Sequence, residues 1–387
     1  MSRQLFNPNI MNLGVPPIPH VQRAARAYDK SLGPLIDLSQ AVPDYPPPAS
    51  LLEALSTKAG DPAWLGYGEI EGEPVLRAAY ARDLEQTHGS RLTADNVMIT
   101  SGCNQAFMTA IMSIAAPGES VMLINPWYFN HQSTLSMLGI NTAHVSVDAS
   151  TGFLPDPDKL AAALTPDVRA IAIVSPNNPT GAAYPAELLH QIYQLCVKHD
   201  IWMILDETYQ DFLPAEHGQA HDLFNENFDN HLIVLSSFSK SYCIPGHRLG
   251  VAVAGTEVLQ QMVKIMDNLQ ICAPRAAQAA LAKCMPELTN WRADNRDQIN
   301  QRAATLISAM DKLPGWRIDA MGAYFAYVQH PWTNESSFDV AERLARELGV
   351  VTLPGEFFGP GQERYLRVAF ANVVSEVIAL LPERLSA

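Results

Sequence analysis

Between residues 96 and 254 the sequence alternates short apolar runs with segments of helical periodicity, and this alternation limits the fold more than any other feature. Leu232-Ile233-Val234-Leu235 is typical of these runs, which have the length and continuous apolar character of strands buried on both faces. Such alternation predicts an α/β fold with a mostly parallel sheet sandwiched by helices. The seven predicted strands are 96–100, 120–124, 142–147, 169–174, 201–205, 231–236 and 249–254.

Helical periodicity takes over after residue 254, and short strands return only near the C-terminus. The predicted helices are 255–268, 274–284, 287–312, 337–347 and 374–385, and the predicted strands are 323–328, 350–353 and 364–370. This pattern predicts a second, smaller α+β domain. We therefore predict a division into an N-terminal segment that packs on the small domain (1–45), a large ligand-binding domain (46–285) and a small C-terminal domain (286–387).

Charge and cysteine content argue against several classes of function. The net charge of −14 disfavours nucleic acid and anionic membrane surfaces as partners, because both need a basic surface. The five cysteines are odd in number, far apart and without metal-ligand spacing, which is typical of free thiols in a reducing compartment. The N-terminus has no apolar signal region, and no apolar run approaches about 18 residues. We therefore expect a cytoplasmic protein with no metal site.

A lysine and an arginine follow the apolar run at 231–236. The chain continues as Ser236-Ser237-Phe238-Ser239-Lys240, and Arg248 comes eight residues later. An ammonium just past a buried strand needs a partner, because burying it alone is costly; taken alone, the motif also fits a surface loop. Asp206, at the end of 201–205, has the same requirement. Ligands of parallel sheets bind beyond the carboxyl ends of the strands, so we expect these groups to serve one ligand.

Other strand ends carry groups suited to a flat phosphorylated ligand, although each motif alone also fits an ordinary turn, cap or core position. Donors for a phosphate are the helix-opening residues and two side chains further along, namely Gly102, Cys103, Asn104, Ser237 and Arg248. A flat ring would stack on an aromatic residue of 127–129. Asp206 would pair with a basic nitrogen of that ring, and Asn178 and Tyr209 would donate to an acidic ring hydroxyl. Lys240 would react with an aldehyde on the ring. Pyridoxal 5′-phosphate meets the whole description.

With these residues in view, the chain resembles a fold-type I pyridoxal-phosphate enzyme of the class I/II aminotransferase family, similar to aspartate aminotransferases. Asn-Pro-Thr-Gly at 178–181, Asp206 with Tyr209 three residues on, and Ser-x-x-Lys with Arg248 eight residues later stand in the family's order. The resemblance covers the chain from about residue 35 to its end. It implies a transaminase that moves an amino group from an L-α-amino acid to a 2-oxo acid by a ping-pong mechanism.

The resemblance also implies roles for individual residues. The implied catalytic residues are Lys240, which is the Schiff-base lysine, Asp206 and Tyr209. The cofactor-binding set is Gly102, Cys103, Asn104, Tyr128, Asn178, Asp206, Tyr209, Ser237, Lys240, Arg248 and Tyr67. Within it, Tyr128 is the aromatic residue that stacks on the ring, and Tyr67 reaches the phosphate of a neighbouring subunit, which implies a homodimer with active sites at the interface. Substrate binding is implied for Arg367, which holds the α-carboxylate, and for Asn178 and Ala41.

Two departures from the family pattern bear on the site. Ala41 stands where the family often has glycine, and Cys103 lies in the phosphate loop where a smaller or hydroxylated residue is common. Neither removes the chemistry, although the extra methyl group of Ala41 could narrow the substrate site.

The motifs leave alternatives open. The same binding residues serve other reactions of this cofactor on an amino acid, such as β-elimination, racemisation or an oxygen-dependent oxidation, because fold does not fix function. A regulator that uses an aminotransferase-like domain is disfavoured, since the chain is acidic and has no room for a preceding DNA-binding domain. Which amino acid and which oxo acid react stays open.

Three histidines receive weaker interpretations. His217 and His221 are four residues apart, which is a metal-ligand spacing on a helix, but they lie in a polar segment without an evident third ligand. We therefore interpret them as solvated. His131, near the aromatic residues 127–129, either lines the pocket or has a capping or surface role.

Overall fold

The computed structural model of the protein describes residues 5–214, 217–218, 220–225 and 230–386. Its strands are β1 (Ile36–Asp37), β2 (Val97–Thr100), β3 (Ser120–Asn125), β4 (Asn141–Ser146), β5 (Val168–Val174), β6 (Trp202–Asp206), β7 (Leu232–Ser237), β8 (Gly250–Ala254), β9 (Arg317–Gly322), β10 (Phe325–Gln329), β11 (Val350–Val351), β12 (Leu353–Pro354) and β13 (Tyr365–Val368).

Its α-helices are α1 (Pro8–Met11), α2 (Pro17–Ala25), α3 (Ala49–Ala59), α4 (Pro74–His88), α5 (Cys103–Ile114), α6 (Phe129–Leu138), α7 (Pro157–Ala163), α8 (Ala186–His199), α9 (Phe238–Ser241), α10 (Thr256–Leu269), α11 (Arg275–Cys284), α12 (Thr289–Met310), α13 (Ser337–Arg343), α14 (Ser375–Ile378) and α15 (Leu381–Leu385). Over the described ranges, no helix combines the length and the apolar character needed to cross a membrane.

The strands β2 to β8 form one sheet, in the order β2-β8-β7-β6-β5-β3-β4. Every neighbouring pair is parallel except the two that involve β8, which runs antiparallel to β2 and to β7. The prediction of an α/β fold around a mostly parallel seven-stranded sheet is therefore confirmed.

Both faces of this sheet are covered, which explains the continuous apolar runs in the sequence. Along β2, the side chains of Val97 and Ile99 pack in one apolar cluster with α4 and α11. Met98, between them, joins the cluster on the opposite face with α5 and α10. Because successive side chains of a strand point to opposite faces, a sheet covered on both sides needs an apolar residue at every position.

The parallel strands bring several chain segments to one edge of the sheet. The loops that follow β2, β3, β5, β6 and β7 all leave from this edge, because these five strands run in the same direction. The segments that carry the sequence-predicted ligand groups therefore meet there, as expected for a doubly wound sheet.

A smaller antiparallel sheet has the order β12-β13-β10-β9, and a separate parallel pair joins β1 to β11. The N-terminal segment is thus hydrogen-bonded to the C-terminal part of the chain, and α2 packs against α13. The boundaries at about residues 45 and 285 stay a proposal.

Two elements near the C-terminus differ from the sequence prediction. The strand β9 was not predicted, because its residues are only partly buried and include Arg317 and Asp319. The helix expected at 374–385 is divided into α14 and α15, since Pro382 has no backbone N–H to continue the hydrogen-bond ladder.

Candidate active site

A cavity of about 260 Å³ opens at the carboxyl edge of the large sheet. Its walls come from the loops after β2, β3, β5, β6 and β7, from β13 of the small sheet, and from the N-terminal residues 18 and 40–42. Most of the sequence-predicted site residues line it, namely Ala41, Cys103, Asn104, Tyr128, Asn178, Asp206, Tyr209, Ser237, Lys240, Arg248 and Arg367.

Lys240 reaches the cavity from α9, the short helix that begins where β7 ends. Ser237 caps this helix, since its Oγ accepts a hydrogen bond from the backbone N–H of Ser239 at 3.1 Å. The Lys240 Nζ donates to the backbone oxygen of Ala41. Burial, with added repulsion from Arg367 and Arg248, lowers the pKa of Lys240 from 10.5 to about 8. A substantial part of this amine is therefore neutral and nucleophilic near physiological pH.

Asp206, the last residue of β6, is buried at the floor of the cavity, with 4% of its surface exposed. Its Oδ1 accepts hydrogen bonds from the backbone N–H of Thr208 at 3.0 Å and from Thr208 Oγ1 at 2.7 Å. Its Oδ2 lies 3.3 Å from His131 Nε2. Burial would raise the pKa of Asp206, but His131 and Thr208 outweigh that effect and hold the pKa below its ordinary value. The carboxylate thus stays ionised and suits a protonated ring nitrogen.

His131 is the residue at this site whose role the sequence left open. It is buried with 2% of its surface exposed, on α6. Its ring stacks on Phe107 with centroids 3.8 Å apart and planes 12° from parallel, and it meets Tyr128 edge-on at 5.2 Å. The spacing of three residues between Tyr128 and His131 places both near one helix face, but nothing in the sequence pointed to Asp206 as the partner.

An anion cradle lies where β2 turns into α5. Gly102 precedes the first helical residue and has φ of 89°. A Cβ atom on Gly102 would collide with the guanidinium of Arg248, and one on Gly250 would collide with the backbone of Gly102. The close approach places Arg248 beside the free N–H groups of a twelve-residue helix. A phosphate is the group that such a positive corner suits.

Cys103 lies between the cradle and Asp206. Its Sγ donates a weak hydrogen bond to Asp206 Oδ2, at 3.4 Å. Burial, together with the neighbouring charge of Asp206, raises the pKa of the Cys103 thiol well above its ordinary value. The thiol is therefore a neutral donor here, and the departure from the family pattern adds a partner for the carboxylate.

Arg367 enters the cavity from β13 and is buried, with 2% of its surface exposed. One Nη donates to Asn178 Oδ1 at 3.0 Å and the other to the backbone oxygen of Ser39. The guanidinium lies over the rings of Phe325 and Phe358, at 4.7 and 5.4 Å from their centroids. Burial lowers the pKa of Arg367 from 12.5 to about 10, so the group stays charged at neutral pH and has no carboxylate partner among the described residues.

The aromatic candidates occupy different places. Tyr128 and Tyr209 both line the cavity. Burial raises the pKa of Tyr128 to about 12 and also raises that of Tyr209, so both hydroxyls are neutral donors. Trp127 instead packs edge-on against His144, with centroids 5.6 Å apart. Tyr67 lies outside the cavity and is 80% exposed.

Comparison with known proteins decides the family. The family model described as aminotransferase class I and II matches residues 33–385. This chain belongs to the class I and II aminotransferases. It is therefore a transaminase that uses pyridoxal 5′-phosphate, and the cavity fits that cofactor: the cradle suits its phosphate, ionised Asp206 suits its ring nitrogen, and Lys240 suits its aldehyde.

The related aminotransferases are named for different substrates. The chain is 31% identical to the aromatic aminotransferase ISS1 of Arabidopsis thaliana over 87% of this chain and 85% of that protein. It is 30% identical to the arginine–pyruvate transaminase AruH of Pseudomonas aeruginosa, over 86% and 84%. The aspartate aminotransferase of Thermus thermophilus, solved with maleate, has the same fold, with a TM-score of 0.90 over 99% of each chain at 24% identity.

A second cluster of buried polar groups corrects the interpretation of His221 as solvated. His221 is 1% exposed, and its Nε2 lies 3.1 Å from Glu207 Oε1. His88 is close by, and the ligand atoms of the three residues lie within 4.8 Å of one another. However, His221 Nδ1 accepts the backbone N–H of Leu223 at 3.2 Å, so the neutral ring carries its proton on Nε2, facing Glu207. The three residues thus form a buried polar cluster, in which His88 Nδ1 also lies 3.2 Å from the backbone oxygen of His221.

Proposed function

We propose that this aminotransferase transfers the amino group of an L-α-amino acid to a 2-oxo acid in two half-reactions, with Lys240 as the residue that holds the cofactor covalently between turnovers. The observation that carries the proposal is the meeting of three groups in one cavity. They are an amine with a pKa of about 8, a buried ionised carboxylate, and a buried guanidinium that has no carboxylate partner in the described part of the chain.

Each group has a separate task. Arg367 binds the substrate α-carboxylate through its two-pronged fork, and this fixes the Cα–H bond relative to Lys240. Lys240 Nζ takes the proton from Cα through the fraction of the amine that is neutral near physiological pH. Ionised Asp206 stabilises positive charge at the floor of the cavity. When bound, the cofactor supplies the electron sink for the charge that forms at Cα as the proton leaves.

The remaining residues hold and orient the cofactor. We propose that Gly102, Cys103, Asn104, Ser237 and Arg248 bind its phosphate. Asn178 and Tyr209 donate to its ring hydroxyl, and Tyr128 packs against its ring. Asn178 also accepts from Arg367, so one side chain connects the cofactor site with the carboxylate site. Ala41, whose backbone oxygen accepts from Lys240, lies beside the substrate.

We also propose that the active protein is a homodimer. Tyr67 is 80% exposed and lies outside the cavity of its own chain, which is compatible with its reaching the phosphate bound by a second copy.

The test is a single half-reaction. Holoenzyme is mixed with an L-amino acid and no oxo acid, and its visible spectrum and products are followed. The proposal predicts one equivalent of 2-oxo acid per site and a matching spectral change, after which the reaction stops until an oxo acid is added. Continued turnover with release of ammonia or consumption of oxygen would instead establish a lyase or an oxidase.

Lysine variants show whether Lys240 carries the chemistry. Lys240→Ala should give no oxo acid. The matched control is Lys264→Ala, which removes an exposed lysine of α10 whose Nζ donates to Gln261 Oε1 at 2.7 Å. If Lys240→Ala reacts as fast as Lys264→Ala, the assignment is wrong.

A further inference from the structure

Among the described residues of a single chain, the end of the cavity that remains for a substrate side chain is lined by uncharged groups. Once the residues proposed for the phosphate, the ring and the α-carboxylate are set aside, the wall that is left comes mainly from the N-terminal segment and the start of α6. The other unassigned lining residues, Val174, Thr208, Ser239 and Pro245, are also uncharged. The wall itself is formed by Ile18, Gln40, Ala41, Val42 and Phe129. None of these side chains can form an ion pair, and four of the five are apolar.

This wall continues into a larger apolar cluster. Ile18 and Phe129 both pack on the group that contains Val21 and Phe358. The rings of Phe129 and Phe358 have centroids 5.6 Å apart. The guanidinium of Arg367 lies 5.4 Å from the Phe358 centroid. An amino acid held by Arg367 would thus have apolar surface directly beside its carboxylate.

The basic groups of the cavity already have tasks. In the part of the chain that the structure describes, the lysine and arginine side chains that line it are Lys240, Arg248 and Arg367. A second carboxylate on the substrate would meet the apolar wall without a cation. Asp206 is the one carboxylate that the described residues contribute to the lining, and it is engaged by Thr208 and faces His131, so a distal ammonium would also lack a partner. Burying an unpaired charge is strongly unfavourable.

We infer that the enzyme prefers L-amino acids with neutral, apolar side chains, such as leucine, methionine and phenylalanine, over acidic and basic ones. The inference rests on the proposed function, because it assigns Arg367 to the α-carboxylate. An apolar side chain gains from covering Ile18 and Phe129, whereas an aspartate or lysine side chain loses its hydration there.

The first test uses the wild-type holoenzyme and the half-reaction rate, expressed as the rate constant divided by the dissociation constant. Leucine, methionine and phenylalanine should each exceed aspartate and lysine by at least about 100-fold, the discrimination expected where a charge would be left unpaired. A smaller ratio overturns the inference. That includes the case in which a basic residue of a second subunit enters the cavity, since aspartate would then react readily.

This design separates the two proposals. If no amino acid yields oxo acid or changes the spectrum, the proposed function fails. If aspartate or lysine reacts as well as leucine, transamination stands and only the side-chain preference fails.

The second test is a charge insertion. Ile18→Lys places an ammonium at the apolar wall and should raise the aspartate-to-leucine ratio of kcat/KM by at least about tenfold. Ile307→Lys is the matched control, since Ile307 lies on α12 with 43% of its surface exposed and does not line the cavity. An unchanged ratio in Ile18→Lys would overturn the assignment of this wall.

Discussion

The low pKa of Lys240 predicts how fast cofactor-free protein captures pyridoxal phosphate as the pH changes. Only the neutral amine attacks the cofactor aldehyde, so the capture rate follows the neutral fraction of Lys240. A folded pKa of about 8 means that this amine loses its proton as the pH rises through 8. A lysine with an ordinary pKa loses its proton only near pH 10.5. Capture should therefore accelerate up to about pH 8 to 9 and then level off.

The expected magnitudes differ widely between the two cases. At pH 7 a lysine with a pKa of about 8 is about 10% neutral, whereas one with an ordinary pKa is about 0.03% neutral. Between pH 7 and pH 10 the capture rate should thus rise only about tenfold, against several hundred-fold for an unperturbed lysine. The measurement is the rate of appearance of the cofactor's bound absorbance band by stopped flow.

Charge removal tests the stated cause of the low pKa. Arg367 is the main charged contributor after burial itself, so Arg367→Gln should move the midpoint of capture upward, towards 10.5. Arg169→Gln is the control, because Arg169 is 44% exposed and pairs with Glu119 near the start of β5. A rate that still climbs tenfold per pH unit between pH 9 and 10 in wild type would refute the reasoning, as would a midpoint that does not move in Arg367→Gln.

Three further predictions concern other residues. Arg367→Lys, which keeps the charge but loses the fork, should lower kcat/KM by about 10- to 100-fold while the holoenzyme spectrum is unchanged; an unaffected kcat/KM would contradict its proposed role. Asp206→Asn should lower the half-reaction rate constant by about 10²-fold or more, measured by stopped flow, because it removes the buried charge at nearly constant shape; a loss below tenfold would count against an electrostatic role. Gly181→Ala should cost about 2 to 4 kcal/mol of unfolding free energy in denaturant titrations, since Gly181 has φ of 78° and its Cβ would collide with the backbone of Gly322. Gly118→Ala, with φ of 93° and open space around it, should cost only about 1 kcal/mol, and equal losses would show that the close approach does not matter.

Much of the large domain could be predicted from local sequence patterns. The buried strands β2, β3 and β5 to β8 follow their apolar runs, and α10 and α11 lie within one residue of their predicted bounds. These elements are readable because burial on both faces imposes apolar residues throughout each strand. The reversed direction of β8 could not be predicted, since strand direction depends on the path of the connecting chain and leaves no mark on composition.

The features of the site also divide into those that the sequence identified and those that it did not. The motif residues around Lys240, Asp206 and Arg367 could be identified because few chains place those types in that order, and the structure brings them to one cavity. The contact of His131 with Asp206 could not be predicted, because it joins α6 to the end of β6, which are far apart in sequence. The burial of His221 was missed for the same reason: its environment includes His88, which is distant along the chain.

The central claim is that Lys240 carries the cofactor, and reductive trapping tests it most directly. Holoenzyme is treated with borohydride, digested, and its peptides are mapped by mass spectrometry. The account predicts one added pyridoxyl phosphate per chain, located on the peptide that contains Lys240. Attachment to a different lysine, or no attachment to protein that binds the cofactor, would contradict it.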